Sequence, residues 1–350
     1  MDESYLNKYR IVGLDWLRGL CALSIMFYHY GGGADITNFL NINSTLQKLG
    51  IYGVSIFFIL SGLSIAIVYH KFITNIKSSF FFILRRIFRI VPLHFIICLL
   101  ITTSLFYKNE YFDLYKFLLN ATLLFGFFNP SEYIVVGAWS IGNEMVYYLF
   151  TPLILYIFNC NRKAGNIIYA ISIIIGAYFA FFALDSKLSL AEQWSVYINP
   201  FNNFFLYITG IAIYYNFSNI NFSLKINYSI LILALFIFIS LPLKGDQISI
   251  CTGVYRFIYC SLSSFIVLSF YKMKITKLTF AGKLFEQFGI ATYGVYLLHP
   301  IVLSYLSFIN SGIIRLPIAM ILTIVIALIS YYLFESKLTK MGKRFTTLKS

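Results

Sequence analysis

The sequence predicts an all-α, polytopic membrane protein, and three observations carry that expectation. Of its 350 residues 59% are hydrophobic types, 19% are aromatic and only 11% are charged. The mean hydropathy is +0.80. The apolar residues fall in runs long enough to cross a bilayer, for which a helix needs about 20 mostly apolar positions. A soluble domain carries about 25% charged residues, so this chain could not cover a water-facing surface. A cytosolic enzyme, a disordered chain and a secreted disulfide scaffold are excluded on that ground.

Ten spans are expected, near 11–30, 49–69, 88–107, 139–158, 166–184, 199–216, 227–243, 252–271, 289–308 and 315–334. The first follows a polar N-terminal stretch and runs past Cys21 without a small-residue cleavage site. It therefore reads as a retained helix and not a cleaved leader. The segment 113–128, DLYKFLLNATLLFGFF, is short, contains Lys116 and Asn120 and ends at Asn129-Pro130. It is expected to be a short re-entrant or interfacial helix on the outer side, since backbone that does not span is tolerated where it lines a cavity.

Loop charge supports that assignment. With the N-terminus inside and 113–128 not spanning, 19 basic residues fall on the inner side and 6 on the outer. Counting 113–128 as a span inverts every later loop and destroys the asymmetry. Both termini are thus expected in the cytoplasm, and the net charge of +14 follows the positive-inside rule, with no nucleic-acid partner. The five cysteines show no metal-ligand spacing, and most lie in apolar runs, where Cys acts as a small hydrophobe. No metal site is expected. Residues 1–350 read as one integral-membrane domain with no soluble domain attached.

Ionisable groups inside spans are costly and point to function by default. Span one contains Asp15, Arg18 and His29. Arg18 and His29 are eleven positions apart, three turns plus about 20°, so they share a face about 16 Å long. Asp15 stands three residues before Arg18, a spacing that allows an ion pair. The plainer alternatives are an interfacial pair that fixes helix depth and an interfacial histidine bonded to a carbonyl. Glu144 lies one turn into its span beside Trp139, Ser140 and Asn143, and either faces a polar cavity or is a buried hydrogen-bond acceptor. Arg85, Arg86 and Arg89, followed by Pro92, open the third span from inside. Arg86 and Arg89 share a face; guanidinium groups bind phosphate in a two-pronged fashion, or they anchor the helix at the membrane surface. His299, His94 and His70 are weaker catalytic alternatives.

In this order, these pieces resemble the acyltransferase-3 family of bacterial integral-membrane acyltransferases. LDWLRGLCALSIMFYHY resembles the family's opening motif, GVSIFFILSG its second-span signature, and RRIFRIVPLHF its entry to the third span. WSIGNEMVYYLFTPLIL, GIATYGVYLLHP and the closing FESK match the later motifs. The match covers nearly the whole chain. It departs at Ser55, where many members carry Asp, and at Ser336-Lys337, where Arg-Pro is frequent.

The resemblance implies transfer of an acyl group, most often acetyl, from cytoplasmic acyl-CoA to a hydroxyl of an extracytoplasmic glycan or lipid-linked glycan. Acetyl-CoA is then a donor substrate and no cofactor is permanently bound. The location implied is the bacterial cytoplasmic (inner) membrane. Under that resemblance Arg86 and Arg89 suit the donor's phosphates, and Arg18 its arm. His29 is the general base, or the nucleophile that takes the acyl group itself. Glu144 orients the imidazole or the acceptor, Ser61 and Ser140 donate hydrogen bonds, and Asp15, Trp139 and His299 support the site. The rival class is a transporter or flippase for a polar or lipid-linked molecule, which intramembrane charge would suit equally. The ordered motifs favour the enzyme.

Overall fold

The computed structural model describes residues 11–33, 43–107, 111–275 and 279–347, and every regular element among them is helical. The chain begins with α1 (Val12–Gly33), α2 (Thr45–Tyr69), α3 (Ile76–Tyr107) and the short α4 (Leu114–Ala121). Next come α5 (Ala138–Cys160), α6 (Arg162–Tyr178, prolonged by a π-turn over Phe179–Ala183) and α7 (Pro200–Phe217). They are followed by α8 (Leu224–Ser240), α9 (Gly253–Lys272), α10 (Phe280–Ile290) and α11 (Thr292–Tyr305). The last are α12 (Gly312–Ser330), a π-turn over Tyr331–Glu335, and α13 (Ser336–Phe345).

Six helices are individually long and apolar enough to cross a membrane, and the α10–α11 pair adds a seventh if its two bent halves form one span. In the most apolar stretch of α2, 78% is buried, against 17% in α6 and in the α12–α13 run. So α2 is the central post and the other two are outer staves. Ile167, Ile171 and Ile174 of α6 are exposed along one face, as are Ile321, Val325 and Ile329 of α12. An apolar belt of this kind belongs in lipid, and the chain is a membrane protein.

The tightest crossing is α2 on α7. A Cβ at Gly62 would overlap the backbone carbonyl of Tyr207, and one at Gly210 that of Ile59. Two glycines at one crossing let the backbones touch, the device that draws helices together where lipid is as apolar as the side chains. Lys48, on the first turns of α2, is 1% exposed. Its ammonium donates to the carbonyls of Ile239 (2.7 Å) and Leu241 (2.9 Å), which satisfies the C-terminal end of α8.

Three elements differ from the sequence expectations in extent. α3 begins at Ile76, so most of the stretch between the expected spans 49–69 and 88–107 is helix, and it carries Arg85 and Arg86. The 289–308 span is bent by 72° between α10 and α11. The bend sits where Gly289 packs on the carbonyl of Asp15 and Trp16 Nε1 donates to Gly282 O (2.9 Å), so α10 lies against the start of α1. Thr292 Oγ1 caps carbonyls freed at the break, those of Phe288 (3.1 Å) and Gly289 (2.9 Å). Segment 113–128 is two short pieces, Leu114–Ala121 and Phe125–Phe128, too short to span. Fully buried Asn120 pins it: Nδ2 donates to Glu132 O (2.7 Å) and Lys116 O (2.9 Å), and Oδ1 accepts from Ile134 N (2.8 Å).

Candidate active site

The polar side chains inside the bundle form two groups. The first is built on α1, α2, α3 and α5. Arg18 Nη1 donates to Asp15 Oδ1 at 2.7 Å, and Nη2 donates to Ser64 Oγ on α2. Ser64 in turn donates to Leu60 O (2.6 Å). The pair therefore faces the interior and keeps Arg18 partly accessible there.

The three arginines of α3 are not equivalent. Arg85 is held by Thr346, just beyond α13, donating to its Oγ1 (2.7 Å) and its carbonyl (2.9 Å), and it lies over the Phe72 ring. Buried Arg86 donates to Tyr69 Oη (2.7 Å). Arg89 is exposed and, among the described residues, makes no hydrogen bond or ion pair. It is nevertheless in electrostatic reach of Arg86, Arg18 and Glu144, and of Glu335 at the end of the π-turn. An exposed guanidinium with two more in electrostatic reach is a ready anion receptor.

Glu144 lies across from these arginines. Its Oε2 accepts from Tyr148 Oη (2.9 Å), which also meets Ser61 Oγ (3.2 Å). Of the residues singled out in the sequence, Arg18, Arg86, Arg89, Glu144 and Ser61 thus share one cluster.

The second group is built on α1, α5 and α11. His29 Nδ1 lies 2.9 Å from His299 Nε2, and the rings stack with centroids 5.0 Å apart. His299 Nδ1 meets the Val295 carbonyl at 3.0 Å. A carbonyl only accepts, so in a neutral His299 ring Nδ1 carries the proton and Nε2 the lone pair. That lone pair takes the proton of His29 Nδ1. The Nε2 of His29 is then a bare lone pair on a partly exposed ring. His299 is itself buried and held by Tyr30 Oη, which donates to its carbonyl (3.0 Å) and pairs with Thr323 Oγ1 (2.7 Å).

Beside this dyad Ser140 Oγ, Tyr296 Oη and the Gly137 carbonyl form a triangle with sides of 2.9, 3.0 and 3.0 Å. The Tyr296 ring is 6.1 Å from that of His299 and its hydroxyl is within electrostatic reach of Glu144. Tyr296 therefore stands between the two groups. Trp139 packs edge-on against Phe58 and Trp194 and belongs to an aromatic cluster. Among the described residues no hydrogen bond joins Glu144 to His29; the imidazole's partner is His299. His94 lies apart beside Cys98 and Phe125, and His70 ends α2 against Tyr214. Tyr69, Tyr148, Tyr296 and Ser64 are not singled out by the sequence, and Glu335 enters there only within the closing FESK motif. With 28 tyrosines in the chain, nothing local distinguishes those that reach the site.

A family model described as an acyltransferase domain matches residues 11–334. An uncharacterised protein of Haemophilus influenzae is 28% identical over 239 residues, covering 61% of this chain and 96% of that one. The O-acetyltransferase OatA of Staphylococcus aureus is 25% identical over 193 residues, which is 50% of this chain and 29% of OatA. No solved structure matches. Both polar groups lie on helices within the matched span, and the chain belongs to the acyltransferase-3 family.

Proposed function

We propose that the protein transfers an acyl group, most simply acetyl, from acyl-CoA to a hydroxyl of an extracytoplasmic glycan or lipid-linked glycan. The observation that carries this reading is the His29–His299 contact, whose polarity leaves Nε2 of the partly exposed His29 ring as an unprotonated base. Resemblance to an O-acetyltransferase over half the chain supports acetyl as the group moved.

In this reading the arginine group receives the donor. Arg89 and Arg18 take phosphate oxygens, with Arg86 behind them raising the local potential. Glu144, tied to Tyr148 and Ser61, keeps that cluster spaced and bonds the donor's amide arm. His29 Nε2 removes the proton of the acceptor hydroxyl as its oxygen attacks the thioester carbonyl. The Tyr296 and Ser140 hydroxyls both donate to the Gly137 carbonyl, and one of them turned from it would donate to the oxyanion that develops. Collapse expels the CoA thiolate, and the imidazolium proton returns to sulfur. The acyl group passes directly, with no acyl-enzyme.

The same reading gives ten crossings. The seven apolar spans are joined by α1, α7 and α8, with both termini in the cytoplasm and α4 on the outer side of a bacterial inner membrane. That arrangement puts Arg85, Arg86 and Arg89 at the inner end and His29 toward the outer end.

The test is acyl transfer in washed membranes supplied with labelled acetyl-CoA and the cell's own surface glycan. Wild type should label the glycan, and His29→Ala should abolish labelling at unchanged abundance. Labelling that survives His29→Ala would remove the proposed base.

A further inference from the structure

Arg256 lies in the first turn of α9, away from both polar groups, and is 3% exposed. Its Nη2 donates to Asn202 O (2.7 Å) and its guanidinium lies 5.7 Å from the Phe205 ring. Its Nη1 is buried without any hydrogen-bond partner. It borders a cavity of about 10 Å³ between α2, α7 and α9, lined among others by Tyr52, Ser55, Asn203, Cys251 and Cys260. No carboxylate lines that cavity. Asp246, which is in electrostatic reach of Cys251, is exposed and accepts from Ile248 N (3.3 Å). Lys48 adds a second buried cation one turn from Tyr52; its ammonium lies 6.0 Å from the Tyr259 ring, which stacks on Tyr52. The partners of both cations are carbonyls, rings and, for Arg256, the Cys260 thiol, all of them neutral groups.

A buried charge with no counter-charge is strongly unfavourable, and a bare guanidinium N–H more so. The α9 N-terminus adds positive potential, since its N-cap Thr252 makes no side-chain cap. The cavity has room for the centre of one small body, a water or a monatomic ion, and not for a phosphate, a carboxylate or a sugar. We propose that Arg256 Nη1 and the Ser55 hydroxyl hold one small monovalent anion, of the halide class, that pins α2, α7 and α9 together. This site is independent of acyl transfer and stands or falls without it.

Bromide is the probe. The full chain, purified throughout in bromide and crystallised, should show an anomalous-scattering peak beside Arg256 Nη1. In detergent, thermal unfolding at fixed ionic strength should give a higher Tm in chloride or bromide than in gluconate, which cannot enter the cavity. The rise should be roughly 2–4 °C per tenfold increase in halide above its Kd. Arg256→Met should abolish the halide dependence. Ser55→Asp, which installs a fixed counter-charge, should flatten it while keeping Tm in gluconate near the wild-type value in chloride. The wild-type bromide map decides the matter even if a variant fails to fold. A cavity without a bromide peak means that water fills it and overturns the proposal, whatever the salts do to Tm.

Discussion

The 2.9 Å contact between His29 Nδ1 and His299 Nε2 has a direction: His29 donates and His299 accepts. Proton capture at His29 Nε2 makes an imidazolium whose Nδ1–H is already aimed at a lone pair. His299 thereby does for His29 what a carboxylate does in other base pairs of this kind, fixing tautomer and ring orientation. It does so without a negative charge inside the bundle.

Replacement of His299 should therefore act on turnover. His299→Leu removes the acceptor and should lower kcat about 10²-fold, with KM for acyl-CoA within about twofold because no donor contact is lost. His299→Gln offers an oxygen acceptor and should recover part of the loss. Steady-state kinetics in washed membranes read this. A rise in KM alone, or a Gln variant as poor as Leu, would place His299 in packing only.

The arginines of α3 should separate by function. Arg89 has no protein partner among the described residues, whereas Arg85 is engaged by Thr346 and Phe72. Losing one charge-assisted contact costs about 1.5–3 kcal/mol. Arg89→Ala should therefore raise KM for acyl-CoA roughly 10- to 100-fold at unchanged Tm. Arg85→Ala should lower Tm as α13 comes loose, with KM nearly unchanged. Equal Tm losses in both variants would return Arg89 to the role of a membrane-surface anchor.

These two cases mark what the sequence exposes and what it hides. The face shared by Arg18 and His29 is legible because helical periodicity is local, and apolar length alone announces α2. The partner of His29 is not legible, since His299 lies 270 residues away. The bend before α11 is hidden too: Ala291 is no helix breaker, and the break follows from packing of Gly289 against Asp15. The first turns of α3, before residue 88, are hidden because their charges suit water as well as helix. Arg256 is legible in the sequence. A lone guanidinium inside the 252–271 apolar run is the same kind of signal that drew attention to Glu144.

Asn120 should matter more than the ion pair beside it. It is fully buried and uses both ends of its amide on backbone groups, so Asn120→Leu strands the Ile134 N–H and the Glu132 carbonyl. The expected loss is about 2–4 kcal/mol. The neighbouring Lys116–Glu132 pair, at 2.9 Å, has side chains 39% and 40% exposed. Lys116→Ala should cost under about 1 kcal/mol. Thermal unfolding of the two variants in detergent compares them, and a Lys116 loss as large as that of Asn120 would contradict the assignment.

The α2–α7 crossing makes a prediction about coupling. At Gly62 and at Gly210 an added Cβ meets backbone of the opposite helix, which cannot rotate aside as a side chain would. The helices must move apart, at a cost of about 1–3 kcal/mol for either Ala variant. Once separated by one methyl group, they should accept the second at little further cost, because both methyl groups press on the same crossing. The double variant Gly62→Ala with Gly210→Ala should therefore lose clearly less stability than the two single losses combined, with a coupling energy of about 0.5–3 kcal/mol. Ser61 and Ser64 flank Gly62, and Ser64 bonds Arg18, so activity should fall with the first substitution and little further with the second. Additive losses in Tm would mean that the two glycines relax independently and that the helices are not in backbone contact there.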